Sequence, residues 1–353
     1  MTSSDAKRPL RQEQMPATDE IVEVAPGILR TQLPIDLPGL GHVNMYVLED
    51  DKGVAVVDPG LPGKESFLAL KARLRDIGVP LNRVHSVVVT HSHPDHYGGA
   101  GKLHKDHGAQ IIAHRRFRLW WDPHEPPDID VEDFPLVAPP KPNGSTPWGG
   151  EGYNIPWRRR TQLRMHAKFP RVFGVPHPTR RVDEGDRITL AGREWLAVHT
   201  PGHTEDHLCL IDPEEGVFLS GDHVLPSITP HISGLTHAID PLAQFFASLD
   251  KVASLGSQMS IALPAHGAPF ANVVERVEQI KEHHVERLDK LREIGAELGR
   301  PATVMEVAKH LFSARAQGPM ADSETFAHLE HLRLAGEFEC HERGGYLEYV
   351  RVA

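Results

Sequence analysis

The segment THSHPDHYGG, residues 90–99, places His91, His93, Asp95 and His96 within six positions, directly behind an apolar run. No other stretch limits the fold so strongly, because these side chains act together only if the chain aims them at common points. An extended segment directs residues i and i+2 to one side, so His91 and His93 can reach a single metal ion. The chain then turns into a helix, which carries Asp95 and His96 to a second point a few ångströms away. Zinc and its relatives favour imidazole and carboxylate ligands. Two such ions about 3.5–4 Å apart can share an activated water. The run supplies about half the ligands for such a pair.

The remaining ligands are expected downstream, at ends of strands. HTPGHTEDH offers His203 in a turn after a strand, FLSGDHV offers Asp222 after a strand and a glycine, and LPAHGAP offers His266 between a strand and a helix. Strand-to-turn junctions gather loop side chains at one edge of a sheet.

The pattern along the chain alternates. HVNMYVLED and GVAVVDPG read as a strand hairpin. Residues 64–77 carry apolar positions at helical spacing and stop at Gly78. VHSVVVT, AQIIAH, RITL, EWLAVHT, HLCLI, GVFLSG and SIALPAHG read as strands. DHYGGAGKLHKDH and PLAQFFASLDKVASL read as helices. A layered α/β domain over residues 21–275 follows. Residues 115–180, rich in Pro, Gly and Trp, break the rhythm. They read as a loop or short helices forming a lid, with Trp120, Trp121, Trp157 and Arg158 facing substrate and Trp148 among them. Residues 157–171 are basic without an acidic residue. They suit either a substrate phosphate or carboxylate or the acidic residues of 122–133. From 276 to 353 the order is helix, helix, helix, hairpin, as in a winged helix-turn-helix module. The polar residues 1–20 read as a mobile tail, neither signal peptide nor membrane anchor.

THSHPDHYGG, TPGHTEDH, SGDH and PAHG, in this order, resemble the ligand motifs of the metallo-β-lactamase superfamily. The resemblance implies an αββα sandwich with a dinuclear site. His91, His93 and His203 would hold one metal, Asp95, His96 and His266 the other, and Asp222 would bridge them. Asp95 would also hydrogen-bond the nucleophile. The GHTEDH variant and the C-terminal segment resemble the lactamase-β-like group with an appended winged helix. Some members of that group are assigned endoribonuclease activity, others thioester hydrolysis.

The expected chemistry is hydrolysis by a metal-bridging hydroxide, on a small carbonyl substrate such as a thioester, lactone or ester. A nuclease using the same metals is the alternative, and a non-catalytic metal-binding interaction protein is a third reading. Zinc is the expected metal, with iron and manganese also suited to these ligands. His207 is expected either to orient a ligand or to fill the core, and His42, His223, His231 and His237 either line the pocket or fill the core. The other excess histidines, out of 24 in 353 residues, include His104, His107, His283, His284 and His310, which read as solvated. A net charge of −10 opposes a general nucleic-acid binder. The C-terminal module then reads as a dimerisation or pocket-closing element, so a homodimer is a possible assembly. Two distant cysteines and no apolar run of about 18 residues fit a cytoplasmic chain without a membrane span.

Overall fold

The computed structural model describes residues 10–37, 39–122, 145–150 and 156–352. The lid expected over 115–180 therefore lies partly outside the described residues, at 123–144 and 151–155. Seven strands lie side by side in chain order: β1 (Val22–Ala25), β2 (Ile28–Leu37), β3 (Leu40–Asp50), β4 (Gly53–Val57), β5 (Val84–Val88), β6 (Gln110–His114) and β7 (Arg180–Val182). The first four are antiparallel, and β4 to β7 are parallel. Parallel neighbours need crossovers. Helix α1 (Lys64–Ile77) supplies the first, and α2 (Pro94–Tyr97) with α3 (Ala100–His107) supplies the second. The third carries α4 (Trp157–Lys168) and α5 (Pro170–Phe173).

A second sheet has the order β12-β11-β10-β9-β8, built from β8 (Arg187–Leu190), β9 (Arg193–His199), β10 (Leu208–Asp212), β11 (Val217–Gly221) and β12 (Ile261–Pro264), with α6 (Pro241–Ser254) between the last two. Alternation places the sheets face to face. In β4, Val54 and Val56 join the core beneath α1 and α3, whereas Ala55 and Val57 join Ile188, Trp195 and Leu219 of the second sheet. The outer face of the second sheet packs on α6 and α7 (Val273–Leu298) through Phe218, Leu249, Val277 and Ile280. The layers run helix, sheet, sheet, helix.

Local backbone chemistry shapes the edge where the histidine run lies. The helix expected from DHYGGAGKLHKDH is broken at Gly98 and Gly99, which donate to the carbonyls of Gly60 and Pro59 at 2.6 and 3.0 Å. A Cβ on Gly98 would lie 1.9 Å from the Leu61 carbonyl carbon. Only glycine permits this approach, and it presses the Asp95–His96 turn against the end of β4.

The C-terminal part continues from α7 into β13 (Ala302–Thr303), α8 (Val304–Leu311), α9 (Pro319–Leu334), β14 (Phe338–Arg343) and β15 (Tyr346–Arg351), with sheet order β13-β15-β14. Three expectations change here. His284 is not solvated but fully buried on the inner face of α7, in line with Ile280 and Leu288. Trp148, expected within the lid segment, is buried and packs on Phe326 of α9, ring centres 5.2 Å apart. Residues 10–20 are not a loose tail: Glu13 is fully buried, and its carboxylate accepts from the backbone of Ser227 and Ile228 at 2.9 and 3.2 Å.

Candidate metal centre

The seven residues expected as ligands converge at one edge of the sandwich. His91, His93, Asp95 and His96 follow β5, His203 follows β9, Asp222 follows β11 and His266 follows β12. The register of β11 against β12 shifts between Leu219 and Gly221, and Gly221 is left-handed with φ 52°. Such a bulge re-aims the next side chain, here Asp222, into the site.

The donor atoms form two groups joined by Asp222. In the first, His93 Nδ1 lies 3.0 Å from both His91 Nε2 and His203 Nε2. Asp222 Oδ2 is 3.5 Å from His203 Nε2 and 3.9 Å from His91 Nε2. In the second, Asp95 Oδ2 is 3.4 Å from both His96 Nε2 and His266 Nε2. Asp222 reaches those same nitrogens, at 3.7 Å from His96 and 3.4 Å from His266. Ligands bound about 2.0–2.1 Å from a tetrahedral ion stand roughly 3.3 Å apart. The buried atoms His96 Nε2, His266 Nε2 and Asp222 Oδ1 have no hydrogen-bond partner among the described residues. Orphaned buried donors and acceptors are rare and costly, so this arrangement fits divalent cations.

Four of the imidazoles spend their outer nitrogen on the protein. His91 Nδ1 meets the Thr90 hydroxyl at 3.1 Å, and His96 Nδ1–H donates to Asp58 at 2.9 Å. His203 Nδ1–H donates to the carbonyl of His231 at 2.8 Å, and His266 Nδ1–H to that of His42 at 2.7 Å. These bonds fix the tautomer that leaves the Nε2 lone pair facing inward.

Electrostatics separate the two groups. Burial, followed by neighbouring imidazoles, holds His91 well below the usual histidine range and His93 at about 3. Burial also lowers His203. Burial opposes charge on His96 and His266 too, but carboxylates outweigh it. Asp95, Asp58 and Asp222 raise His96 well above its ordinary value, and Asp222 with Asp95 lifts His266 to about 10. Burial would raise Asp95 and Asp222, yet His96 and His266 hold both below the usual carboxylate range. The two carboxylates stay ionised and call for positive charge between them.

The expected pocket residues divide. His207 is fully buried and accepts the Asp222 backbone N–H at Nε2, 3.0 Å away, while its Nδ1–H donates to Thr200 at 2.7 Å. It fixes the backbone of Asp222. His42 is buried and contributes its carbonyl to His266, with its own ring tied to the Met15 carbonyl at 2.8 Å. His223 is core filler, with its ring centre 5.2 Å from that of Phe245. His231 presents its carbonyl to His203 and turns its ring away, to Glu324 at 3.2 Å. His237 joins Glu205, which also pairs with Arg118 at 2.6 Å. Trp121 is half-buried beside His166, whereas Trp120, Trp157 and Arg158 are exposed. Sequence reasoning missed Asp58, whose DPG context reads as a plain turn, and Glu205 and Glu324. The single usable signal was the carboxylate of Asp58 at a strand end.

Comparison with known proteins agrees with this architecture. Residues 38–288 match the family model described as the metallo-beta-lactamase superfamily. The chain is 25% identical over 325 residues to the probable metallo-hydrolase YqjP of Bacillus subtilis, covering 83% of this chain and 88% of that one. A metallo-beta-lactamase family protein from Thermus thermophilus superposes with a TM-score of 0.72 at 30% identity, covering 94% of this chain and all of that one. An atrochrysone carboxyl ACP thioesterase of Aspergillus fumigatus is 33% identical over 119 residues, 31% of this chain and 35% of that one. With its paired sheets, its clustered histidines and aspartates and these relatives, the chain belongs to the metallo-β-lactamase superfamily, as a hydrolase of that fold.

Proposed function

We propose that the chain is a metal-dependent hydrolase of a small carbonyl substrate, a thioester ahead of a lactone or ester. The observation that carries this reading is the pair of donor groups sharing Asp222, with their outer ring nitrogens locked by the protein. His91, His93 and His203 would hold one divalent ion, and Asp95, His96 and His266 the other, with Asp222 between. Such ions supply Lewis acidity and bring the pKa of a bound water toward about 7. Asp95 lies beside His96 and His266 and would also offer a carboxylate oxygen to accept a hydrogen bond from an attacking water. His207 holds the backbone of Asp222 in place.

Two observations favour a thioester with an anionic handle. One relative is named a thioesterase, although the likeness covers only about a third of each chain. Arg158, Arg159, Arg160, Arg164, Lys168 and Arg171 of α4 and α5 are exposed and pair with no carboxylate among the described residues. This surface suits a phosphate or carboxylate on the substrate.

The C-terminal order of helix, strand, helix, helix and hairpin suits a winged helix, and we read it as one. That favours a nuclease only if α9, in the recognition-helix position, is free. Instead Ser323, Thr325, Ala327, His328, Leu329 and Leu332 of α9 are buried. A phosphate-tracking surface should also be basic. The module is better suited to closing the site than to clamping RNA.

The test is one comparative assay. The zinc- and manganese-loaded protein is offered a thioester, a lactone and single-stranded RNA, with Asp95→Ala as the blank. We expect thioester cleavage that disappears in the variant. RNA cleavage lost in the variant, with both carbonyl substrates untouched, overturns the reading.

A further inference from the structure

Residues 223–239, between Asp222 and α6, carry no helix or strand. Such a segment holds its shape only through what it touches. On its inner side, the His231 carbonyl accepts from His203 Nδ1–H. Its flanks are fixed by Glu13 and Arg276, at Ser227 and Ile228, and by Glu205, at Thr236 and His237, whereas the stretch from His231 to Gly234 is held on its outer side by α9. The Gly234 N–H donates to Ser323 Oγ at 3.0 Å, and Ser233 Oγ meets the same hydroxyl at 3.3 Å. His231 Nδ1–H donates to Glu324 Oε2 at 3.2 Å. His331 Nδ1 meets Asp240, the N-cap of α6, at 2.9 Å. Gly234 lies flat on the helix: a Cβ there would come within 2.5 Å of the Phe326 ring and 2.8 Å of the Ser323 carbonyl.

His231 is the link, because it uses both of its ends. Its ring is held by α9 and its carbonyl holds His203. Glu324 is itself braced from behind. Arg287 of α7 pairs with its carboxylate, and its backbone carbonyl accepts from His328 Nδ1–H at 2.7 Å. His328 Nε2 in turn meets His284 at 3.0 Å. His284, Glu324 and His328 have donor atoms close enough for a cation. Arg287 already supplies the positive charge there, so this group acts as a brace.

We infer that Glu324 is a positioning residue for the metal centre: through the His231 ring and carbonyl it sets the tautomer and aim of His203. This gives the C-terminal module a part in the site without contact with substrate. It rests on the reading of His203 as a ligand.

The test uses the full chain with His231→Ala and Glu324→Gln, which keep the loop backbone and the side-chain shape respectively. In the metal-free protein, ¹⁵N shifts of the His203 ring should report Nδ1–H in the wild type and a mixture of tautomers in His231→Ala. Glu324→Gln should shift the same way by a smaller amount. In metal titrations, His231→Ala should weaken one of two equivalents roughly tenfold and leave the other unchanged. Adding Glu324→Gln to His231→Ala should cost nothing further, because both act through one chain of contacts. Unchanged His203 shifts in both variants overturn the inference, whatever the metals do. A His203 tautomer shift in the variants, together with a wild type that binds no metal, sinks the functional reading instead and leaves the positioning link standing.

Discussion

At the scale of single residues, this site is made as much by what holds the candidate ligands as by those residues themselves. His96 owes its aim to Asp58, a buried residue in the left-handed region with φ 54°. Asp58 also accepts from the Thr90 backbone at 2.9 Å and from its hydroxyl at 2.8 Å, and that hydroxyl meets His91. One carboxylate therefore braces both donor groups. Asp58→Asn keeps the shape and tolerates the left-handed backbone but loses the charge. Metal affinity should fall roughly tenfold, at the mild end of what outer-shell losses cost. Calorimetric titration with zinc checks this, and an unchanged affinity would reduce Asp58 to a backbone prop. The grouping of the candidate ligands was legible in the sequence because their spacing has a geometric meaning. Asp58, Glu205 and Glu324 were not, because a lone carboxylate in a turn or on a helix looks like any solvated charge until the fold brings its partner.

Among elements, legibility followed periodicity. The apolar spacing of residues 64–77 and the alternation in RITL both appear in the structure as α1 and β8. The α2–α3 break did not follow from spacing, because it depends on how closely Gly98 approaches Leu61, a contact across 37 positions of sequence. Helix α4 was equally obscure. It buries only Leu163 and Ala167, so it has almost no apolar stripe to detect. Its exposed cations make a sharp prediction. Replacing Arg158, Arg159 and Arg164 with glutamate should raise KM roughly tenfold for a phosphate-bearing thioester, with kcat unchanged. A neutral thioester should be unaffected, and added salt should erase the difference. Equal effects on charged and neutral substrates would show that α4 does not hold an anionic handle.

Over the whole molecule, helix α7 carries packed apolar side chains across the region near residue 275 where the composition changes. Helix α7 begins at Val273 on the second sheet and ends at Leu298 among the C-terminal strands. A single apolar cluster runs from Val198 and Phe218 through Leu249, Val277 and Leu291 to Leu332, Phe338 and Tyr349. Composition changed at that point because the chain passes from strands to helices, which says nothing about where packing stops. A continuous core should open as one unit. Leu291, 1% exposed, is the place to test it, since it lies on α7 toward its C-terminal end. Leu291→Ala should cost about 2–5 kcal/mol, the transfer term plus the cavity left behind. If sandwich and C-terminal part unfold together, that cost must appear in both. The slowest amides of β9, far from the substitution, should then exchange faster by the same factor as those of α9. Mass-resolved hydrogen exchange reads the two peptides in one sample. Faster exchange confined to α9, with β9 at its wild-type rate, would mean that the C-terminal module opens alone, and the metal centre would then be exposed to loss of the Glu324 contact without unfolding of the sandwich.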